Sequence, residues 1–330
     1  NVAIGTAPWQ GVNLNEEYYI FQKGFATNNN GGGMRLPHQF AMFSMLKLLQ
    51  PEFVIETGVW KGTTTRLIRK ILPNANIISL DLKCHANKLA LEQDTGTEYI
   101  CGSDFVDFSE LGSKWEKINK ESALVIFDDH QSGYKRLIQG HSFGFEHMIF
   151  EDNHPFGTGD NYAIKQLWME YYAGARKKDN FGIVDEPLSE KEHCLNKQRA
   201  KKIIDVYAEF PPLNREQSMS FFRTYGWSNQ GCIKKKSCSN AYKTKPKSST
   251  DNLFTNHEVG VQTKAGADEN MYHFISYVHV EKDYIVQQAD NKVVASELKL
   301  ESSKIPIKNI KEQEAADMCL YGEPSGRSIN

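Results

Sequence analysis

The sequence predicts an α/β protein built on a doubly wound, Rossmann-like sheet that is mostly parallel and has helices on both faces. Short apolar runs recur between residues 51 and 172, and helical stretches separate them. This alternation is typical of parallel strands that are covered on both sides. The runs also end in acidic residues, at the sheet edge where such folds bind their ligands.

The elements are expected in the order that such a sheet requires. Apolar residues at helical spacing predict a helix over 38–49, ahead of the first strand. The predicted strands cover 53–57, 76–81, 97–104, 123–129 and 147–152. Further helices are expected over 63–72, 160–174 and 188–208. A late antiparallel hairpin is expected from 273–280 and 283–288.

The first strand ends in the segment VIETGVWKGTTT (54–65), which turns through Gly58 and Gly62 into a helix that starts at Thr63 and Thr64. Such a turn presents free backbone N–H groups to a ligand. Dinucleotide-binding turns pack Gly-x-Gly-x-x-Gly against a pyrophosphate, but here Glu56 would repel phosphate and attract an ammonium group. A ligand with a cationic amino-acid end and a nucleoside end, S-adenosylmethionine, fits better.

The ends of the next two strands extend the same site. Asp81 ends the second strand, where a carboxylate can accept hydrogen bonds from both ribose hydroxyls. Ser103 and Asp104 follow the third strand and are expected to meet the adenine edge.

These segments resemble the class I S-adenosylmethionine-dependent methyltransferases. The resemblance covers 51–172, about a third of the chain, and rests on VIETGVWKGTTT, IISLD, GSDF, ALVIFDD and MIFED. It implies that the cofactor is S-adenosyl-L-methionine. The implied cofactor-binding residues are Glu56, Gly58, Gly62, Thr63, Thr64, Asp81, Ser103, Asp104 and Asp128.

A second group of acids follows the fourth and fifth strands, in FDDH (127–130) and FEDNH (150–154). Converging carboxylates need a cation, and oxygen ligands suit Mg²⁺ or another hard divalent ion. The pattern is similar to the metal-dependent small-molecule O-methyltransferases, namely the catechol type and, more closely, the macrolide-sugar, aminocoumarin and cephalosporin-hydroxylase-like types. That similarity implies Asp128, Glu151 and Asp152 as ligands, with Asp129 as a substitute for Asp128.

The general base is expected to be a histidine. The catechol-type enzymes carry a lysine three residues after the fourth-strand acid, but this chain has Gln131 at that position. His154 is favoured and His130 is the second candidate, because each follows one of the acidic pairs. Helix-capping or surface roles for these carboxylates and histidines remain open alternatives.

The predicted function is O-methylation of a hydroxyl on a sugar, glycan or glycosylated small molecule. The sugar preference comes from the resemblance and from aromatic residues in 207–227 that could stack on a sugar ring. Two alternatives stay open: a non-methylating, hydroxylase-like metal enzyme of the same fold, and a binding protein with a relic cofactor pocket.

Composition excludes several other classes. The formal charge of -2 gives no bias toward nucleic acid, and no apolar run reaches the roughly 18 residues of a membrane span. The expected partner is a small-molecule or glycan acceptor, and a homo-oligomer is compatible with the sequence. Six cysteines in 330 residues are too few for a disulfide scaffold, which favours a reducing, cytoplasmic location. Cys84 and Cys101 are expected near each other, as buried thiols or as a disulfide.

Four segments are predicted along the chain. They are an N-terminal helical leader or cap, a cofactor-binding core, an insertion that forms a lid or acceptor region, and closing strands with a polar tail. In that order they cover 1–50, 51–172, 173–256 and 257–330.

Overall fold

The fold is a seven-stranded mixed sheet between two layers of helices. The computed structural model describes residues 7–27, 34, 36–84, 96–153, 162–168, 188–210 and 275–280. Within these ranges the strands are β1 (Phe53–Thr57), β2 (Asn76–Asp81), β3 (Thr97–Cys101), β4 (Ala123–Phe127), β5 (His147–Phe150), β6 (Ile204–Glu209) and β7 (Ser276–Val280).

The strand order places the ends of β1, β4 and β5 side by side. The order is β3-β2-β1-β4-β5-β7-β6. The pairs within β3-β2-β1-β4-β5 are parallel, and β7 runs antiparallel to both β5 and β6. The predicted doubly wound, mostly parallel sheet is therefore confirmed, and the carboxyl ends of its parallel strands lie along one edge.

Helices cover both faces of this sheet. They are α1 (Leu14–Gly24), α2 (Leu36–Leu49), α3 (Thr63–Ile71), α4 (Gly112–Trp115), α5 (Gly133–Ser142), α6 (Ile164–Leu167) and α7 (Glu190–Ile203). Successive residues of β1 enter different cores, because side chains alternate across a strand. Val54 packs with α1, α2 and α3, whereas Ile55 packs on the opposite face with α4 to α7.

The helix α2 is buried on all sides over most of its length. Every residue from 36 to 46 is buried. Phe40 and Phe43 lie against rings of α1, and Phe40 also meets Phe210 beyond the end of β6. A helix that is apolar all round belongs inside a protein, so the predicted leader contains a core element.

Most predicted elements are present with small changes at their ends, but one prediction was wrong. The helix expected over 188–208 ends at Ile203, and the chain continues directly as β6. Its sequence IDVYAE alternates buried and half-buried residues, as an edge strand does. The strand expected over 273–280 is present as β7, and it pairs with β6 and β5. Residues 283–288 lie outside the described residues.

The structure contains disulfide-bonded cysteines. Cys84 and Cys101 form a disulfide that links the chain after β2 to the end of β3, with a Cα–Cα distance of 5.2 Å. Cys194 on α7 is disulfide-bonded as well. The alternative of two buried thiols at Cys84 and Cys101 is thus wrong. Disulfides are typical of proteins from oxidising compartments, whereas the sequence predicted a reducing one.

In the described parts of the chain, none of the helices combines the length and the apolar character that a membrane crossing requires.

Candidate active site

The turn after β1 is pressed against the end of β4. Gly58 has a φ of 85°, and a Cβ at this position would lie 1.8 Å from the backbone oxygen of Asp128. Gly62, at the entry to α3, has a φ of 71°. Only glycine combines a positive φ with such a close approach. Gly58 therefore allows the turn to lie directly against the acidic end of β4, and Gly62 supplies the left-handed residue from which α3 begins.

Glu56 is completely buried beneath this turn. Its Oε2 accepts hydrogen bonds from Thr65 Oγ1 at 2.6 Å and from Ser79 Oγ at 2.8 Å. Its Oε1 is buried without a hydrogen-bond partner among the described residues. Burial raises the pKa of Glu56 to about 7, against the lowering effect of the two hydroxyl groups. A cation above this carboxylate would supply the interaction that Oε1 lacks.

Asp81 holds the other side of the turn. Its Oδ2 accepts hydrogen bonds from the backbone N–H groups of Val59 and Trp60 at 2.8 and 2.7 Å. Its Oδ1 accepts from the N–H of Lys83 at 2.8 Å. Asp81 thus fixes the shape of the turn that follows β1.

The remaining predicted cofactor residues flank these carboxylates. Thr63 and Thr64 are buried in the first turn of α3. Ser103 and Asp104 are exposed in a single 3-10 turn directly after β3. The disulfide-bonded Cys84 lies close to this turn, because a Cβ on Gly102 would come within 3.3 Å of its Sγ.

Asp128, Glu151 and Asp152 converge where β4 and β5 end. One carboxylate oxygen from each lies within 4.8 Å of those of the other two, the one such grouping among the described residues. The pKa of Asp128 is raised well above its ordinary value by burial and then by the charges of Glu151 and Asp152. Three oxygen donors that repel one another fit Mg²⁺ or a similar hard cation, which would relieve the repulsion.

A residue of the N-terminal helix α2 reaches this cluster. The Nδ1 atom of His38 is in hydrogen-bond contact with Oε1 of Glu151. His38 is 1% exposed and Glu151 is 7% exposed. The sequence offered no signal for this contact, because the two residues are 113 positions apart.

Asp129 points to a different partner. Its Oδ2 accepts from Nε of Arg136 at 2.9 Å, and Arg136 also makes a two-pronged ion pair with Asp107. Burial opposes the charge of Asp107, but the Arg136 guanidinium outweighs it and holds the pKa of Asp107 well below its usual range. Arg136 and Asp107 were not predicted, because neither stands in a recognisable motif.

The structure describes one of the two histidines that were predicted as the general base. His130 has a φ of 56°, and its Nδ1 lies 3.3 Å from Oδ2 of Asp152. His130 is thus brought to the acidic cluster. His154 lies outside the described residues.

Comparison with known proteins gives distant structural neighbours. The Mg-SAM form of CmcI is 21% identical, over 35% of this chain and 52% of that chain, at a TM-score of 0.28. The O-methyltransferase from Bacillus cereus in complex with SAH is 11% identical, over 42% of this chain and 66% of that chain, at a TM-score of 0.32. TomG from Streptomyces achromogenes, an O-methyltransferase of tomaymycin synthesis in complex with SAM, is 11% identical, over 43% of this chain and 65% of that chain, at a TM-score of 0.30.

The Bacillus cereus protein and TomG are O-methyltransferases, and the three neighbouring structures contain SAM or SAH. The chain matches about half the length of CmcI, 52%. At such low identities the likeness concerns the fold alone, and at these TM-scores it adds nothing to the case for a function. No family model matches the chain, and no curated protein matches it.

Proposed function

We propose that the protein is an S-adenosylmethionine-dependent and Mg²⁺-dependent O-methyltransferase that acts on a hydroxyl of a sugar, glycan or glycosylated small molecule. The observation that carries the proposal is the crowding of carboxylates at one sheet edge. Glu56 and Asp81 stand on one side of the Gly58 turn, and the metal-type cluster stands on the other. Two separate cationic ligands would balance this charge.

In this proposal the β1 side holds the cofactor. The unpaired Oε1 of Glu56 suits the ammonium group, directly or through water. Asp81, already fixed by three backbone N–H groups, offers its remaining lone pairs to ribose hydroxyls. Ser103 and Asp104 border the adenine position.

Asp128, Glu151 and Asp152 would hold the divalent ion on the β4 side. When bound, the ion supplies positive charge that lowers the pKa of an acceptor hydroxyl and orients it. A histidine then accepts the hydroxyl proton. The contact of His130 with Asp152 supports His130 for that role, and His154 remains the other candidate. Asp129, bound by Arg136, is assigned to positioning the loop that carries His130.

The proposal keeps the predicted division of the chain into four segments. It also keeps a lid role for the segment 173–256. This segment also supplies β6 to the sheet. The disulfides favour an oxidising compartment over the cytoplasm, and we include that location in the proposal.

A non-methylating metal-dependent enzyme of the same fold is the second candidate. It is favoured by the engagement of Asp81, whose Oδ2 already receives two backbone N–H groups and so has less capacity for a ribose. This candidate keeps the acidic cluster but does not need S-adenosylmethionine.

Calorimetric titration with S-adenosylhomocysteine, with and without Mg²⁺, separates the two candidates. Wild type should bind with micromolar affinity. Asp81→Ala should lose binding, whereas Asp81→Asn retains an acceptor for the turn and should keep the fold while binding more weakly. Asp205→Asn, on the edge strand β6, is the control for loss of a carboxylate elsewhere.

Absence of binding by wild type under every condition would remove the methyltransferase proposal and leave the metal enzyme. If binding is present, transfer of a labelled methyl group to simple glycosides, abolished by EDTA and restored by Mg²⁺, tests the metal and the acceptor class. Transfer that is insensitive to EDTA would contradict the role of the cluster.

A further inference from the structure

Helix α2 carries few polar side chains into the core, and the described ones have defined partners. They are His38, Gln39 and Ser44. Gln39 donates to the backbone oxygen of Met34 and accepts from Thr27, and Ser44 donates to the backbone oxygen of Phe40. These partners are local. His38 differs, because its partner Glu151 belongs to the acidic cluster.

Glu151 needs such a partner for its geometry. It is nearly buried, and its carboxylate stands beside those of Asp128 and Asp152. Like charges at this spacing repel, so an unsupported glutamate would rotate away from the cluster. Contact with His38 holds Oε1 and leaves the second carboxylate oxygen for another ligand.

The helix that presents His38 is fixed in place. It is enclosed by α1, by α3 and by aromatic rings that include Phe210, next to β6. His38 therefore approaches Glu151 from a rigid element. Residues that hydrogen-bond to metal ligands usually orient those ligands in this way.

We propose that His38 is a positioning residue that orients Glu151 as a ligand of a divalent cation, so that the N-terminal helix completes the candidate metal site. This inference rests on the proposed function, because it assumes that the acidic cluster binds a metal. It assigns to α2 a part in ion binding beyond its packing.

The test measures Mn²⁺ binding by electron paramagnetic resonance and calorimetry on the metal-free full chain. His38→Leu removes the donor, whereas His38→Asn places an amide nitrogen close to the position of Nδ1. Loss of a residue that hydrogen-bonds to a metal ligand typically weakens metal binding about 10- to 100-fold. We expect His38→Leu to lose at least about tenfold in Mn²⁺ affinity and His38→Asn to recover most of it.

The control is His147→Asn, at the opposite end of β5, where the ring contacts Tyr277 instead of an acidic cluster. It should leave Mn²⁺ affinity unchanged, and S-adenosylhomocysteine binding should be unchanged in every His38 variant. If His38→Leu does not fold, His38→Gln replaces it, because it moves the amide nitrogen by one methylene group.

Wild-type Mn²⁺ affinity in His38→Leu would overturn the role of His38 and leave the metal part of the proposed function intact. Equal affinities in His38→Gln and His38→Asn would do the same. Failure of wild type to bind Mn²⁺ would overturn this role and the metal part of the proposed function together.

Discussion

A carboxylic acid that is fully enclosed, as Glu56 is, has two ways to avoid an unfavourable charge: it can stay protonated or meet a cation. The surroundings of Glu56 favour the first of these, which is protonation. Two hydroxyl groups donate to one oxygen, the other has no partner among the described residues, and burial raises the pKa of Glu56 to about 7. The empty chain is therefore expected to be less stable with Glu56 ionised than with Glu56 protonated.

We predict that stability without ligands falls as the pH rises from 4.5, the ordinary pKa of glutamate, to about 7, the raised pKa of Glu56. The folded-state pKa is raised, so its contribution is complete below the lower value and is lost through the higher one. The loss should be about 3 to 4 kcal/mol, because the pKa of Glu56 rises from 4.5 to about 7 and a tenfold change in proton affinity corresponds to about 1.4 kcal/mol.

Urea unfolding at several pH values, in EDTA, measures this dependence. Glu56→Gln should flatten the slope across the window. Glu98→Gln removes a side chain that is 53% exposed and should leave the slope as in wild type. An equal slope in wild type and Glu56→Gln would show that folding does not raise the pKa of Glu56.

At the scale of the elements, a covalent bond joins β2 and β3 at the ends where the proposed function places the cofactor. The disulfide between Cys84 and Cys101 spans 17 residues of sequence. It lies between Asp81 and the turn that carries Ser103 and Asp104. Adenosine recognition in the proposed function therefore depends on a covalent link between two neighbouring strands.

Replacement of both cysteines by serine should lower the free energy of unfolding by about 3 kcal/mol, the chain-entropy value for a closed loop of this length. It should also weaken S-adenosylhomocysteine binding, because the two strand ends lose their fixed spacing. Urea unfolding measures the first effect, and calorimetry measures the second. An unchanged unfolding midpoint in the double variant would contradict the prediction.

For the whole molecule, the sequence predicted the parallel half of the sheet well and the antiparallel half poorly. The strands β1, β2, β4 and β5 are short apolar runs that end in acids, a pattern visible locally. By contrast, β6 follows α7 without a turn signal, and its alternating pattern was read as part of the helix. Its assignment depends on pairing with β7, about 70 residues away.

The site shows the same division. Carboxylates that follow strands were found from the sequence, because the ends of parallel strands meet at one edge. The contact of His38 with Glu151 and the links of Arg136 to Asp107 and Asp129 were not found. Each depends on packing of a helix against the sheet, which no local pattern specifies.

Divalent ions should stabilise the whole molecule, because binding to the folded state alone shifts the unfolding equilibrium. At an ion concentration of about 100 times Kd the gain is about 2.7 kcal/mol. The pKa of Asp128 is raised by burial and by neighbouring carboxylates, so the gain should increase with pH as Asp128 loses its proton.

Thermal unfolding with Mg²⁺ or EDTA, at pH 5.5 and pH 8 (roughly either side of neutrality), checks this expectation. Asp128→Asn should abolish most of the gain at both pH values. Asp205→Asn, whose carboxylate is exposed on the edge strand, should respond as wild type does. A gain that falls with rising pH would contradict protonation of the cluster.

The contact of Gly58 with the backbone of Asp128 makes one piece of main chain common to both halves of the site. A displacement of the turn by an occupant on one side must shift the strand end that carries the acids on the other. In the proposed function, binding of S-adenosylmethionine and binding of the divalent ion would therefore be thermodynamically linked, and the linkage would be reciprocal. The contact between Gly58 and Asp128 also limits the length of the turn, because an added residue would have no space on the side of β4.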